Sequence, residues 1–371
     1  PNQYQDFIKE IKKGPLDEKY KAKLAFEAFQ HTADYDTAIA NWMSKEKKLI
    51  PSKHIESYSL IKTLRYGENP HQKALWYGLS DIGWNSAKQL QGKELSYNNL
   101  LDLESALSTV LEFGYENKSN FELNPFASVI LKHNNPCGAA FSDSLSNSFK
   151  NALKCDSVSA FGGIVAFNAN VDKETAMNLK DIFLECVVAP SFDKEALEIL
   201  KTKKNLRVLK LPKSNLIQKN QTVSKSIMGG LLIQDYDNNE DKKEEWVSVT
   251  KKNPTDKEAL DLNFAWKICK HVKSNAIVIA KGQKTIGIGA GQMNRVGAAK
   301  IALEAAKENC SGAVLASDGF FPFADTVKLA NEYGISSIIQ PGGSLRDEES
   351  IKMCDSKGIS MIFTNQRHFL H

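Results

Sequence analysis

Apolar positions recur with a helical period over residues 18–46. Ala22, Leu24, Ala25, Ala28, Phe29, His31, Thr32, Tyr35, Ala38 and Ile39 carry it, followed by Trp42 and Met43, and the spacing predicts one long helix. A lysine-rich stretch, Lys45 to Lys53 with Pro51, then reads as a linker. From about residue 59 the pattern changes to short apolar runs alternating with helix-length segments. Ala127–Leu131, Gly163–Phe167, Val187–Ala189, Ile277–Ala280, Ile286–Ile288, Ala313–Ala316 and Ser337–Ile339 predict strands. Lys173–Leu184, Lys257–His271 and Gly297–Glu308 predict helices between them. Such alternation implies an α/β fold. The polar stretch from Asp235 to Asp256, which contains Pro254, is the best internal boundary. Each half carries a strand ending in a charged or glycine-rich turn, but no clear internal repeat is visible.

A length of 371 residues fits two domains or one large one. Hydrophobic residues at 42% and charged residues at 25% exclude disorder over most of the chain. A net charge of +4, with Lys interleaved among Asp and Glu, argues against a nucleic-acid partner. No apolar run approaches the ~18 residues of a membrane span. The polar N-terminus is not a signal peptide. It lacks a starting Met, so a processed or excised chain is expected. None of the six Cys forms a CxxC pair, and a reducing cytoplasm is the natural compartment. Only five of the 48 basic residues are Arg: Arg65, Arg207, Arg295, Arg346 and Arg367. Genomic base composition accounts for such scarcity, but Arg also persists where a planar fork is needed.

Four sets of residues carry chemistry. Arg65-Tyr66-Gly67-Glu68-Asn69-Pro70-His71-Gln72 joins turn residues to an Arg and a His, apt for holding an anion and handling a proton. Its bland alternative is a solvated surface turn. In the second set the apolar strand Ala127–Leu131 stops abruptly at Lys132-His133 and enters Asn134-Asn135-Pro136-Cys137-Gly138. His and Lys at a strand end suit formyl or acyl transfer, one moving a proton and the other stabilising an oxyanion. Pro136-Cys137 is faintly like a zinc deaminase, but Ala140 stands where PCxxC needs its second Cys. The third set is glycine-rich. Ser159-Ala160-Phe161-Gly162-Gly163 enters a strand, and Gly287-Ile288-Gly289-Ala290-Gly291 leads to Arg295 at a helix start, where an anion is favoured. In the fourth set, Ser317–Asp325 places Phe320, Phe321 and Phe323 around two carboxylates, apt for a flat heterocycle. Gln340–Ser344 is another strand-end turn, and Thr364–Phe369 closes the chain, where fraying is the default.

Taken in order, RYGENPHQ, QGKELSYNNLLD, KHNNPCG, SAFGGIVAFN, VVAP, SNAIVIAK, GIGAGQMNR, SDGFFPFAD, QPGGS and TNQRHF resemble one family. It is the AICAR transformylase portion of the bifunctional purine-biosynthesis enzymes that also carry IMP cyclohydrolase. The match covers about residues 59–371. LAFEAFQHTADYDTAIANWM resembles the segment that follows the family's cyclohydrolase domain. That domain is missing from the sequence, so a truncated form without cyclohydrolase activity is expected. The expected organisation is a helical linker over 1–58 and transformylase subdomains over 59–250 and 251–371.

The resemblance implies two cytidine-deaminase-like α/β subdomains and an intertwined homodimer with sites shared across its interface. It implies formyl transfer from 10-formyltetrahydrofolate to the 5-amino group of AICAR, with no zinc and no metal in the chemistry. A structural potassium ion belongs to the family pattern. By position, His133 is the general base, Lys132 the transition-state stabiliser, and His71 a support for proton handling. AICAR is expected to meet Arg65, Tyr66, Gly162, Glu185, Asn275, Arg295, Phe320 and Arg367. The folate is expected to meet Val296, Phe320, Asp325, Ser344 and Leu345. Glu185 stands where some relatives carry Asp. Arg207 and Arg346 receive no role, so Lys at 207 is expected to matter less than Lys at 65, 295 or 367. The rival readings are a zinc-dependent deaminase-like hydrolase and a Lys-rich nucleic-acid-binding protein. Stoichiometric zinc would favour the first, and salt-dependent RNA binding without folate turnover the second.

Overall fold

The helical period over 18–46 is realised as one uninterrupted helix in the computed structural model, which describes residues 3–79, 82–116, 126–216, 222–237 and 243–371. This helix, α2 (Glu18–Lys47), follows a short α1 (Tyr4–Lys13). The Asp17 side chain caps α2 by accepting the Tyr20 N–H at 2.6 Å, which satisfies one of the free donors of the first turn. The expected linker begins a little later than Lys45, because helical hydrogen bonding persists to Lys47. With the paired strands β1 (Ser59–Leu64) and β2 (Ala74–Gly78), these helices belong largely to a first compact unit, Pro1–Lys62 with Leu75–Ser80.

The second unit, Thr63–Ala74 with Asp81–His371, is α/β. Its first half runs β3 (Lys88–Gln91), α3 (Tyr97–Leu111), β4 (Phe126–Lys132), β5 (Asn135–Ser142), α4 (Leu145–Leu153), β6 (Gly163–Phe167), α5 (Lys173–Lys180), β7 (Leu184–Ala189), α6 (Lys194–Leu200) and β8 (Arg207–Lys210). An exposed hairpin, β9 (Thr222–Ile227) and β10 (Gly230–Asp235), follows. The second half runs β11 (Val247–Ser248), α7 (Asp256–Cys269), β12 (Ile277–Ala280), β13 (Thr285–Gly289), α8 (Arg295–Ala306), β14 (Val314–Ser317), α9 (Asp325–Glu332), β15 (Ser337–Gln340), α10 (Asp347–Lys357) and β16 (Ser360–Phe363). The helix expected over Lys173–Leu184 stops at Lys180. Leu184 instead opens β7, where it is buried as the parallel partner of Gly163.

The two halves repeat one topology. Six strands lie in the order β3-β8-β7-β6-β4-β5 in one sheet and β11-β16-β15-β14-β12-β13 in the other. In each, an antiparallel hairpin is followed by parallel strands that need helical crossovers. The two hairpin edges meet: Ala140 bridges Lys284, and the Phe141 N–H donates to the Gln283 carbonyl at 2.9 Å. One core lies under both sheets beneath α3 and α7, with Phe113, Phe141, Phe264 and Trp266. Phe113 meets Phe141 edge-on at 4.6 Å between ring centres, a favoured aromatic geometry. Separate cores pack α4–α6 and α8–α10 on the opposite faces. Among the described residues no helix is long and apolar enough to cross a membrane.

Glycine makes this packing possible. A Cβ on Gly138 would lie 2.0 Å from the Ala152 carbonyl oxygen of α4, and one on Gly287 would lie 2.0 Å from that of Ala302 in α8. Gly138→Ala is therefore expected to push α4 off β5 and cost about 1–3 kcal/mol of stability, measurable by chemical denaturation.

Candidate active site

At the end of β4 the chain leaves a fully buried strand and reverses within two residues. His133 and Asn134 both take left-handed backbone angles, φ +53° and +60°. Side chains other than Gly rarely adopt this conformation, and Asn tolerates it better than most. The turn leaves the His133 side chain exposed at the sheet end, where α/β proteins build their sites. Lys132 Nζ donates to the Phe161 carbonyl at 2.7 Å. Gly162 follows with φ +75°, and its N–H donates to the Phe183 carbonyl at 2.8 Å.

His133 borders two cavities. One, of about 250 Å³, is lined by Glu68, Asn98, Leu101, Asp102 and Asn134 as well. The other, of about 230 Å³, brings in Lys132, Asn135, Cys137, Cys155 and Asp156, with Gly287 and Ile288 of the second half. Burial pushes the Cys137 and Cys155 thiols up to about 12, so both stay protonated near neutrality and are poor nucleophiles or metal ligands. Among the described residues no group of three His, Cys, Asp or Glu side chains is placed to hold a metal ion.

The 64–72 loop is tied to α3 by Asn98, whose side chain donates to the Glu68 carbonyl at 3.2 Å. Arg65 donates to the Tyr66 hydroxyl at 2.7 Å and stacks 4.6 Å from its ring centre. Arg65 and His71 are both exposed. Glu68 rather than His71 shares the cavity wall with His133.

The second half gathers the other candidates. Asn275, Arg295, Val296, Phe320 and Asp325 line one cavity of about 380 Å³ with Phe323 and Phe369. Arg295 opens α8, as expected, but its guanidinium is buried. It donates to Ser317 Oγ at 2.9 Å and Asn275 Oδ1 at 2.8 Å, and pairs with the fully buried Asp318. Asp318 also accepts the Ala276 N–H at 3.1 Å and the Ser274 hydroxyl at 2.5 Å. The three Phe separate: Phe321 enters the core, while Phe320 and Phe323 face the cavity.

Two expectations need correction. Gly287 and Gly289 do not form an anion-binding loop. Both lie within β13, and a Cβ on either would strike a carbonyl of α8 at 2.0 Å, so they serve close packing. The C-terminal segment does not fray. His368 N–H donates to the Asp318 carbonyl at 3.0 Å, Ser274 and Leu370 exchange hydrogen bonds, and Lys273 Nζ donates to the His371 carbonyl at 2.8 Å. Arg207 is not idle. It is buried, donates to the Glu94 carbonyl at 2.9 Å, and holds Glu185 at 2.6 Å.

Arg367 reaches the second-half cavity through Phe369, whose ring centre lies 4.7 Å from its guanidinium carbon. Ser344 and Leu345 are not among its lining residues; Leu345 is fully exposed. Their loop adjoins it through Arg346, stacked 4.7 Å from the Phe323 ring centre. Asn135 links the two site regions by accepting the Lys273 N–H at 3.0 Å, two residues before Asn275. Sequence reading gave no role to Asp102, Asn135 or Asp318. Asp102 sits in a helix far along the chain from the turn it serves, so only the fold reveals it.

The tail also carries a pH-sensitive pair. His368 Nδ1 lies 2.6 Å from Asp237 Oδ2, beside the Trp266 ring. Burial raises the Asp237 carboxyl, but the hydrogen bond and charge of His368, with Lys270 and His271, outweigh it and hold it below its ordinary value. A depressed carboxyl stabilises the fold fully above the unfolded value of about 4, and that stability is lost as pH falls through the lower folded value. The difference in Tm between the parent and Asp237→Asn is expected to be fully present above about pH 4 and to shrink as the pH falls below it.

A family model described as AICARFT/IMPCHase bienzyme matches residues 1–305. The bifunctional purine biosynthesis protein PurH of Prochlorococcus marinus strain MIT 9515 is 80% identical over 371 residues, covering 100% of this chain and 72% of its own. PurH of P. marinus subsp. pastoris strain CCMP1986 is 77% identical over the same share of each chain. Among solved structures, form 2 of Acinetobacter baumannii RibD covers 30% of this chain and 36% of its own, at 14% identity and a TM-score of 0.22.

Proposed function

The chain belongs to the AICARFT/IMPCHase bienzyme family, and from that premise we propose that it transfers a formyl group from 10-formyltetrahydrofolate to the 5-amino group of AICAR in purine biosynthesis. The observation that carries the mechanism is the strand-end pair: an exposed His133 beside a Lys132 whose Nζ is held at 2.7 Å by the Phe161 carbonyl. The amine of AICAR is conjugated with its carboxamide and is a weak nucleophile. It must lose a proton as its nitrogen attacks the formyl carbon. His133 takes that proton, and Lys132 faces the charge that develops on the formyl oxygen. Collapse then breaks the bond from the formyl carbon to N10 of the folate, which leaves with a proton. The products are formyl-AICAR and tetrahydrofolate.

The remaining groups hold the two substrates in register. Arg65, Tyr66, Gly162, Glu185, Asn275, Arg295, Phe320 and Arg367 are assigned to AICAR. Val296, Phe320, Asp325, Ser344 and Leu345 are assigned to the folate, with His71 supporting proton handling. The gathering of Asn275, Arg295, Val296, Phe320 and Asp325 around one cavity supports this division, since both ligands are assigned to Phe320. In a single chain, His133 and this cavity belong to different pockets. The reading includes a homodimer in which each site draws on two copies. Cytidine-deaminase-like halves, a cytoplasmic setting, and partners limited to small molecules complete the reading.

A spectrophotometric assay with AICAR and 10-formyltetrahydrofolate tests it. Turnover that requires both substrates is expected. No transfer, together with stoichiometric zinc by metal analysis, would replace it with the hydrolase.

A further inference from the structure

The halves repeat more than their topology. Ile130 pairs with Gly138 and Val165 as Ile279 pairs with Gly287 and Leu315, and the hairpin register shifts immediately afterwards in both. Counting on from that register sets Lys132 on Lys281, His133 on Gly282 and Asn134 on Gln283. The turns agree in backbone: φ is +53° and +60° in the first, +63° and +53° in the second. Lys281 Nζ donates to the Ser311 carbonyl at 2.6 Å, as Lys132 does to Phe161 at 2.7 Å. A glycine of positive φ follows each acceptor, Gly162 and Gly312.

One carboxylate clamps each turn from the preceding helix. Asp102 of α3 accepts the Asn134 N–H at 2.7 Å, and the His133 N–H also faces it. With the Asn134 amide nitrogen turned toward its acceptors, that group donates to Asp102 too, at 3.1 Å. Asp261 of α7 accepts the Gly282 N–H at 2.8 Å and the Gln283 N–H at 2.6 Å. Each Asp stands at the same place after a capping box, begun by Ser96 in α3 and Thr255 in α7. The second copy has no imidazole, yet it keeps the clamp. Holding the turn is therefore separable from catalysis, and only the first copy mounts a base on it.

We propose that Asp102 is a positioning residue for formyl transfer, locking the His133–Asn134 turn through its backbone donors and so fixing where the His133 imidazole stands. The proposal rests on the reading of His133 as general base. The other titratable groups around His133 are Lys132 on its own strand, Glu68 in the 64–72 loop, Cys137 on β5, and Cys155 and Asp156 after α4. Of these, Asp102 alone also receives the turn's backbone donors.

Four variants of the full chain test this by steady-state kinetics and thermal melts. Asp102→Asn keeps an acceptor oxygen and loses the charge. It is expected to hold KM for both substrates and lower kcat about tenfold. Asp102→Ala also frees the turn and is expected to lower kcat about 10²-fold. Asp261→Ala is the internal control: a lowered Tm and kcat within about twofold. An Asp102→Asn variant with the parent kcat overturns the proposal. So does an Asp261→Ala variant that loses as much kcat as Asp102→Ala. If Asp102→Ala does not fold, Asp102→Asn against Asp261→Ala decides. His133→Ala with near-normal turnover would instead remove the base assignment itself, whatever Asp102 does.

Discussion

His133→Ala is expected to lower kcat by about 10²–10⁴-fold while the protein melts within a few degrees of the parent. The large kinetic effect follows from the proton that must leave a weakly nucleophilic amine. The small structural effect follows from the exposure of the imidazole: its removal opens no cavity. The turn stays clamped from α3, because its donors are backbone N–H groups. Lys132→Ala is expected to cost about 10²–10³ in kcat through the lost oxyanion partner. Steady-state kinetics at saturating AICAR and folate, beside thermal melts, check both. Near-normal turnover of His133→Ala would sink the catalytic assignment.

Substitution of Arg295 is expected to act on stability and binding together. Its guanidinium reaches Asp318, Ser317 and Asn275 at once, and Asp318 is fully buried. Arg295→Met leaves that carboxylate without its cation and is expected to cost about 3–5 kcal/mol of stability. Arg295→Lys keeps a charge but has one nitrogen where the fork has several. It is expected to raise KM for AICAR about tenfold or more, the loss of one charge-assisted hydrogen bond, with a smaller drop in stability. Arg65→Lys provides the contrast. Arg65 is exposed and held by Tyr66, so its loss is expected to raise KM and leave denaturant stability unchanged. If Arg295→Lys binds AICAR normally, its guanidinium serves the fold alone.

The arginines show what sequence could and could not resolve. Three were placed at the nucleotide through family resemblance, while Arg207 and Arg346 had no role. The fold gives Arg207 a buried partnership with Glu185, itself assigned to AICAR, and seats Arg346 over Phe323 on the cavity wall. These contacts join residues far apart in the chain or on opposite sides of a loop, so no local pattern announces them. Glycines mislead for a related reason. Spacing alone cannot separate a glycine that cradles an anion from one that admits a helix, and Gly287 and Gly289 are of the second kind.

Local chemistry was legible along the chain. The helical period over 18–46, the alternation of apolar runs and helices, and the abrupt change from a buried strand to Lys132-His133 each record a local physical demand. Those demands determined the α/β class and the catalytic candidates. The tertiary structure decided how distant segments meet. It showed that the halves share one topology, since hydrogen-bond register persists where side chains have diverged. It anchored the C-terminal tail on Ser274 and Asp318. It also brought a helix carboxylate to the His133 turn, because backbone donors in a left-handed turn need an acceptor that their own strand cannot supply.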